Sequence, residues 1–365
     1  MVDSERFVSF YSRIFCHSSG MGDNDAGTVP LGRYLFERIR QLGVKSIIGV
    51  PGDMNLELLD YIDEVDGMSW IGTANELGGA YACDGYSRVK GAPGVLITTM
   101  GVGELSAING IAGAYTEQVK LISIVGTTAT GTQKRRTMIH HCLGPNPDHR
   151  VYEKISHHVR AAHCWLDDIE TAPSEIDRVI RSCYVQSLPV YIFVPMDFVH
   201  QKVDRNLLSQ PVDLEPQALD DQEEKALDDV CSAIQAATKP ALLVDCLTSR
   251  FGATKAVRDI ASYLKFPTFS TSMGKSIIDE KDNPHYYGSY NGKICPDWMH
   301  EYIENETDLV IEFGPLLSDS NTGGHSREIA SSKLVSISPD SVTCMGRVYE
   351  KVYIKSCKSL PNNYL

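Results

Sequence analysis

Residues 94–115 read GVLITTMGVGELSAINGIAGAY: an apolar run of strand length, a glycine turn, then a helix-length stretch of small and apolar residues. The strand GVLITTM (94–100) has no polar alternation, so both of its faces are expected to be covered, as in a parallel sheet. Similar units lie on either side. LGRYLFERIRQLG (31–43) spaces its apolar residues at helical intervals and stops at Gly43, a cap residue. KSIIGVPGD (45–53) is a short β-branched run broken by Pro51-Gly52, and MNLELLDYI (54–62) returns to helical spacing. LISIVGTT (121–128) and PVYIFVPMD (189–197) add further buried strands. This alternation predicts an α/β fold with a doubly wound parallel sheet.

The stretch 204–229, DRNLLSQPVDLEPQALDDQEEKALDD, is acidic and has no apolar strand, so it is read as a solvated linker leading into a helix. Alternation then restarts with PALLVDC (240–246), ATKAVRDIASYL (253–264), FPTFSTS (266–272), DLVIEFG (308–314) and KLVSISPD (333–340). The expectation is therefore two doubly wound parallel-sheet domains, at 28–204 and 223–365, joined by a linker at 205–222. A flexible extension over 1–27 precedes them, with Met21 as an alternative start. The ending KSLPNNYL carries no recognisable element.

Composition narrows the function. The net charge is −13, from 34 Lys+Arg against 47 Asp+Glu, which argues against nucleic-acid binding. No apolar run reaches the ~20 residues of a membrane-spanning helix. The ten cysteines contain no C-x-x-C pair, so neither a disulfide framework nor a zinc site is expected. No secretory h-region follows Met1; Arg6 and Arg13 faintly resemble a transit peptide, but Asp3 and Glu5 oppose that reading. A cytoplasmic protein is expected.

Four features could carry chemistry. Asp53 follows a strand, where parallel sheets place ligand-binding residues, though a helix-capping aspartate fits the same position. Glu76 opens a helix rich in small residues, where an acidic group also interacts favourably with the helix dipole. His140-His141 lie on a loop, and histidine is a residue type that can serve as an acid–base group. Being adjacent, they are not read as a zinc pair, and no metal ligand is assigned. Gly101-Val102-Gly103 lacks the third glycine of a dinucleotide fingerprint, and Glu104 would repel a phosphate.

Taken in order, GVPGDMN (49–55), NELGGAYACDGYSRVKG (75–91), TTMGVGELSAINGIAGAYTE (98–117) and IHHCLG (139–144) resemble the amino-terminal, pyrimidine-binding domain of the thiamine diphosphate-dependent 2-oxo acid decarboxylases, above all the pyruvate decarboxylases. FSTSMGKSIIDE (269–280), YYGSYNG (286–292) and EFGPLLSDSNTGG (312–324) resemble their central domain. The resemblance runs over about residues 28–345. It implies non-oxidative decarboxylation of a small 2-oxo acid with thiamine diphosphate and Mg2+. Pyruvate would give acetaldehyde; indolepyruvate and phenylpyruvate are the alternative substrates. By the same resemblance Glu76 hydrogen-bonds the aminopyrimidine ring of the cofactor. Asp53, His140 and His141 take the positions for substrate binding and proton delivery. The family works as a homodimer or homotetramer, because one subunit's amino-terminal domain faces its neighbour's cofactor domain.

One departure stands out. The family holds diphosphate and magnesium through a G-D-G motif and a later asparagine, and no G-D-G occurs here: Gly52-Asp53 is followed by Met54. The 365 residues alone are therefore expected to bind thiamine diphosphate feebly and to be inactive. Three readings stay open at this point. The chain is a piece of a full decarboxylase, a partner lending Glu76 to a complete subunit, or a non-catalytic regulator that kept the scaffold.

Overall fold

The computed structural model describes residues 27–356. The extension expected over 1–27 (Gly27 apart), the alternative start at Met21 and the KSLPNNYL ending lie outside them. The first unit contains β1 (Thr28–Pro30), β2 (Ser46–Gly49), β3 (Ser69–Gly72), β4 (Gly94–Thr99), β5 (Leu121–Thr127), β6 (Ala162–Trp165), β7 (Val190–Pro195) and β8 (Lys202–Asp204). The second contains β9 (Pro240–Val244), β10 (Thr268–Ser270), β11 (Tyr286–Ser289), β12 (Leu309–Phe313), β13 (Leu334–Ile337), β14 (Ser341–Cys344) and β15 (Arg347–Glu350).

Six strands of the first unit form a wholly parallel sheet in the order β3-β2-β4-β5-β7-β6. Every residue of β4, β5 and β7 is buried, as their unbroken apolar runs require. Neighbours along a strand feed opposite cores, because side chains alternate across a sheet. Ile47, Val95 and Ile124 join one cluster with Leu35 of the helix Leu31–Gln41 and Ile176 of the helix Ala172–Gln186. Ile48, Leu96 and Val125 join the other, with Ala80 of the helix Glu76–Lys90 and Ala107 of the helix Val102–Thr116. The small residues let these last two helices touch: a Cβ on Gly110 would lie 2.7 Å from Cβ of Ala80.

The second sheet runs β11-β10-β9-β12-β13-β14-β15 and is parallel only as far as β13. The expected parallel-sheet fold holds in this unit too, with β14 and β15 added to its edge as antiparallel strands. Met345 (φ 47°) and Gly346 (φ 88°) make the two-residue left-handed turn that joins them as a hairpin. The helix Asp220–Ala236 begins inside the stretch expected as linker. The segment before it is tied to the first unit: Arg38 donates to the carbonyls of Leu207 (2.7 Å), in the short helix Arg205–Ser209, and Gln210 (2.6 Å). The units also meet at Arg250, whose carbonyl accepts from Lys120 Nζ and from Ser187 Oγ (3.4 Å). Among the described residues no helix is long and apolar enough to cross a membrane, and all eight described cysteines are free.

Candidate active site

The strand order fixes where a ligand would sit. From β2 the chain first goes to β3 on one side and then to β4 on the other, so β2 and β4 flank the point where the winding reverses. Open parallel sheets bind ligands outside the carboxyl ends of such a pair. Asp53 follows β2, and Thr99 ends β4.

Asp53 is not a helix cap. The turn's hydrogen bonding is done by Asn55, whose Oδ1 accepts from the Gly52 N–H (2.9 Å) and whose Nδ2 donates to the Val50 carbonyl (3.2 Å). Freed from that task, the Asp53 carboxylate faces outward and meets His140, with Oδ2 3.2 Å from Nε2. Both side chains are about two-thirds exposed. The His140 and His141 rings are in edge contact, centroids 4.2 Å apart. One polar atom from each of Asp53, His140 and His141 lies within 4.8 Å of the others. Adjacency in sequence therefore did not keep the two histidines from converging with Asp53. Three groups this close can grip one small polar ligand and exchange protons with it.

Glu76 opens its helix at the carboxyl end of β3, and the cap is Asn75, whose Oδ1 accepts from Gly78 N–H (2.7 Å). The Glu76 side chain is half-buried and has no hydrogen-bond or ion-pair partner among the described residues. Gly103 keeps one side of it clear: a Cβ there would lie 3.0 Å from Glu76 Oε1 and 3.2 Å from Thr99 Cγ2. On the other side of Thr99, a Cβ on Gly52 would lie 3.0 Å from Thr99 Cβ. Thr99 thus separates the Asp53 turn from the Glu76 carboxylate.

Three contributors were not foreseen. Glu104 is buried and accepts from the Gly101 N–H (2.9 Å); its residue type had counted only against phosphate. Tyr152 donates its hydroxyl to the carbonyl of His141 (2.8 Å), and no sequence signal marked it. Asn55 lay in the quoted GVPGDMN without a role. A cavity of about 500 Å3 runs along the loop that carries the histidines, between Lys134, Arg136, Asp148, His149, Arg150 and Asp167. None of Asp53, Glu76, His140 or His141 lines it.

The donor set fits one end of thiamine diphosphate. A half-buried carboxyl group beside a glycine, without a partner among the described residues, is free to share a proton with a ring nitrogen. No described residue is assigned to the diphosphate or to magnesium.

Residues 30–149 match the family described as thiamine pyrophosphate enzyme, N-terminal TPP binding domain, and residues 227–356 match thiamine pyrophosphate enzyme, central domain. The chain carries these two domains and by them belongs to the thiamine pyrophosphate enzymes. Its curated relatives include pyruvate decarboxylase of Candida glabrata, 42% identical over 328 residues, covering 90% of this chain and 57% of the relative. Pyruvate decarboxylase isozyme 3 of Saccharomyces cerevisiae is likewise 42% identical over 90% of this chain and 58% of its own. The pyruvate decarboxylase of Candida albicans is 39% identical, with 90% and 58% covered. The chain thus spans somewhat under three-fifths of the length of these relatives.

Proposed function

We propose that this chain forms the aminopyrimidine-side part of the active site of a thiamine diphosphate-dependent 2-oxo acid decarboxylase, with pyruvate as substrate and acetaldehyde and carbon dioxide as products. The observation that carries the reading is the unpaired Glu76 carboxylate beside Gly103, on the same sheet edge as the Asp53–His140–His141 group. Bound thiamine diphosphate would supply an electron sink for the pair of electrons left when carbon dioxide departs. Glu76 would hold a proton between its carboxylate and the aminopyrimidine nitrogen, a task suited to a half-buried acid. Asp53 and His141 would orient the substrate, and His140 and His141 would pass a proton to the product carbon from a ring nitrogen.

Magnesium and the diphosphate are assigned to residues outside those matched here. Asp53 and His140 are exposed, so a second subunit covering this edge, in a homodimer or homotetramer, would exclude water from the reacting atoms. A cytoplasmic role in alcoholic fermentation accords with this activity.

The test is acetaldehyde release from pyruvate by the native gene product, with and without Glu76→Gln. A drop of about a hundredfold or more in kcat supports the role, as removal of an acid–base group does. Unchanged turnover in a folded variant would remove Glu76 from the mechanism. Indolepyruvate and phenylpyruvate, assayed alongside, decide the substrate.

A further inference from the structure

Glu104 is an ionisable side chain only 3% exposed, and the decarboxylation reading leaves it without a task. Its Oε1 accepts from the Gly101 N–H at 2.9 Å, while Oε2 has no hydrogen-bond partner. The Gly101 N–H belongs to the same planar peptide group as the Met100 carbonyl. That carbonyl oxygen is 3.2 Å from Nδ1 of His141. A carbonyl can only accept, so Nδ1 must carry the proton and, in the neutral ring, Nε2 is left as the basic nitrogen. The arrangement is held from the other side as well: Tyr152 Oη donates to the His141 carbonyl at 2.8 Å. Gly101 adopts φ 82°, and a Cβ there would lie 3.0 Å from that same carbonyl oxygen, so the peptide and the histidine loop are in direct contact.

We propose that Glu104 is a positioning residue for His141: by drawing on the Gly101 N–H it polarises the Met100–Gly101 peptide, which then holds the imidazole with its proton on Nδ1. The tautomer follows from the hydrogen bonds alone; its use in proton delivery rests on the decarboxylase reading.

A helix cap needs only an acceptor, and glutamine would provide one without burying a charge. The carboxylate costs more and polarises more strongly, since hydrogen bonds to an ionised acceptor are the stronger kind. Burial pushes the Glu104 carboxyl up to about 7, against the pull of the Gly101 N–H and of Arg160, with Glu153 adding to the rise. Tyr152 and Tyr191 also feel its charge. Around His141 stand Asp53, His140 and Cys142. The hold on the ring therefore weakens as Glu104 takes up its proton near neutrality.

The test reads the tautomer directly, by long-range 1H–15N correlation on the 365-residue chain with labelled histidine at pH 8. In the wild type His141 is expected to be mainly Nδ1–H. In E104Q the ratio of Nδ1–H to Nε2–H falls roughly three- to tenfold, the weakening of one hydrogen bond. E104D, which keeps the charge, retains most of the bias. An unchanged ratio in E104Q overturns the proposal, and so does an equal loss in E104Q and E104D, which would assign the effect to cap geometry. If E104Q does not fold, the Met100 carbonyl 13C shift in the wild type gives the answer. It should move with a midpoint of about 7, and a flat response between pH 6 and 9 overturns the proposal. None of these readouts depends on turnover, so they stand apart from the acetaldehyde assay.

Discussion

The ammonium of Lys120, at the entrance to β5, donates to the backbone carbonyl of Arg250 in the second unit, joining the two domains through one buried contact. Ser187 shares that carbonyl and is itself fully buried. A lysine in such a place pays for desolvation, and burial lowers its pKa to about 8, with Lys355 and Arg250 acting in the same direction. The unfolded chain thus holds this proton more tightly than the folded one between about pH 8 and the ordinary lysine value. Stability from this group is lowest below pH 8 and rises as pH climbs through that window. Lys120→Met should flatten the rise. The difference in unfolding free energy between wild type and K120M, followed by urea titration from pH 7 to 10, should change by up to about 3 kcal/mol. A constant difference would mean that the amine is hydrated in the native state.

Glu104 gives a dependence of the opposite slope. Its folded pKa of about 7 lies above the unfolded value, so the contribution is fully present below about pH 4.5 and is lost as pH rises through 7. Glu104→Gln removes that loss. E104Q should match the wild type near pH 5 and exceed it at pH 8 by at most about 3 kcal/mol in denaturant unfolding. A variant that gains stability while its His141 tautomer drifts would separate positioning from folding.

Gly103 offers a cleaner separation still. It sits in the first turn of a helix, where alanine is favoured over glycine by roughly 0.5–1 kcal/mol. Yet a Cβ there would meet Glu76 Oε1 at 3.0 Å. Gly103→Ala should therefore melt no lower than the wild type and still lose at least about tenfold in kcat of the complete enzyme, by displacing the carboxylate. Unchanged turnover would show that Glu76 has room to move aside.

Asp53 should behave as a group with chemical but little structural value. Its contact with His140 is an exposed pair, worth under about 1 kcal/mol. Asp53→Asn is expected to leave the unfolding midpoint within error and to lower kcat by about a hundredfold or more. A large loss of stability would point instead to a structural role for the turn.

Much of this was legible in the residues. β4, β5 and β7 announce themselves because strands covered on both faces need no polar positions. β3 and β6 do not, because they are the edges of their sheet: SWIG is mostly exposed, and AHCW mixes a histidine into the run. The hairpin β14–β15 was missed because Met345 adopts the left-handed turn usually given to asparagine or glycine. In the site, Asp53, Glu76 and the two histidines were recognisable as a set only through the order of their motifs. Position alone offered equally good structural explanations, and the chain had to fold before Asn55, not Asp53, could be seen to stand at the helix's cap position and to tie the turn together through Gly52 and Val50. Glu104 was invisible because the sequence cannot report that two hydrogen bonds share one peptide group.

Thr99 has a wider consequence. It fills the gap between the Asp53 turn and the Glu76 carboxylate, touching the glycine on each side. A β-branched residue on a fully buried strand has few rotamers open to it. The separation of the Asp53 turn from the Glu76 carboxylate is thereby set by a buried interior strand of the sheet rather than by either of the segments it holds apart.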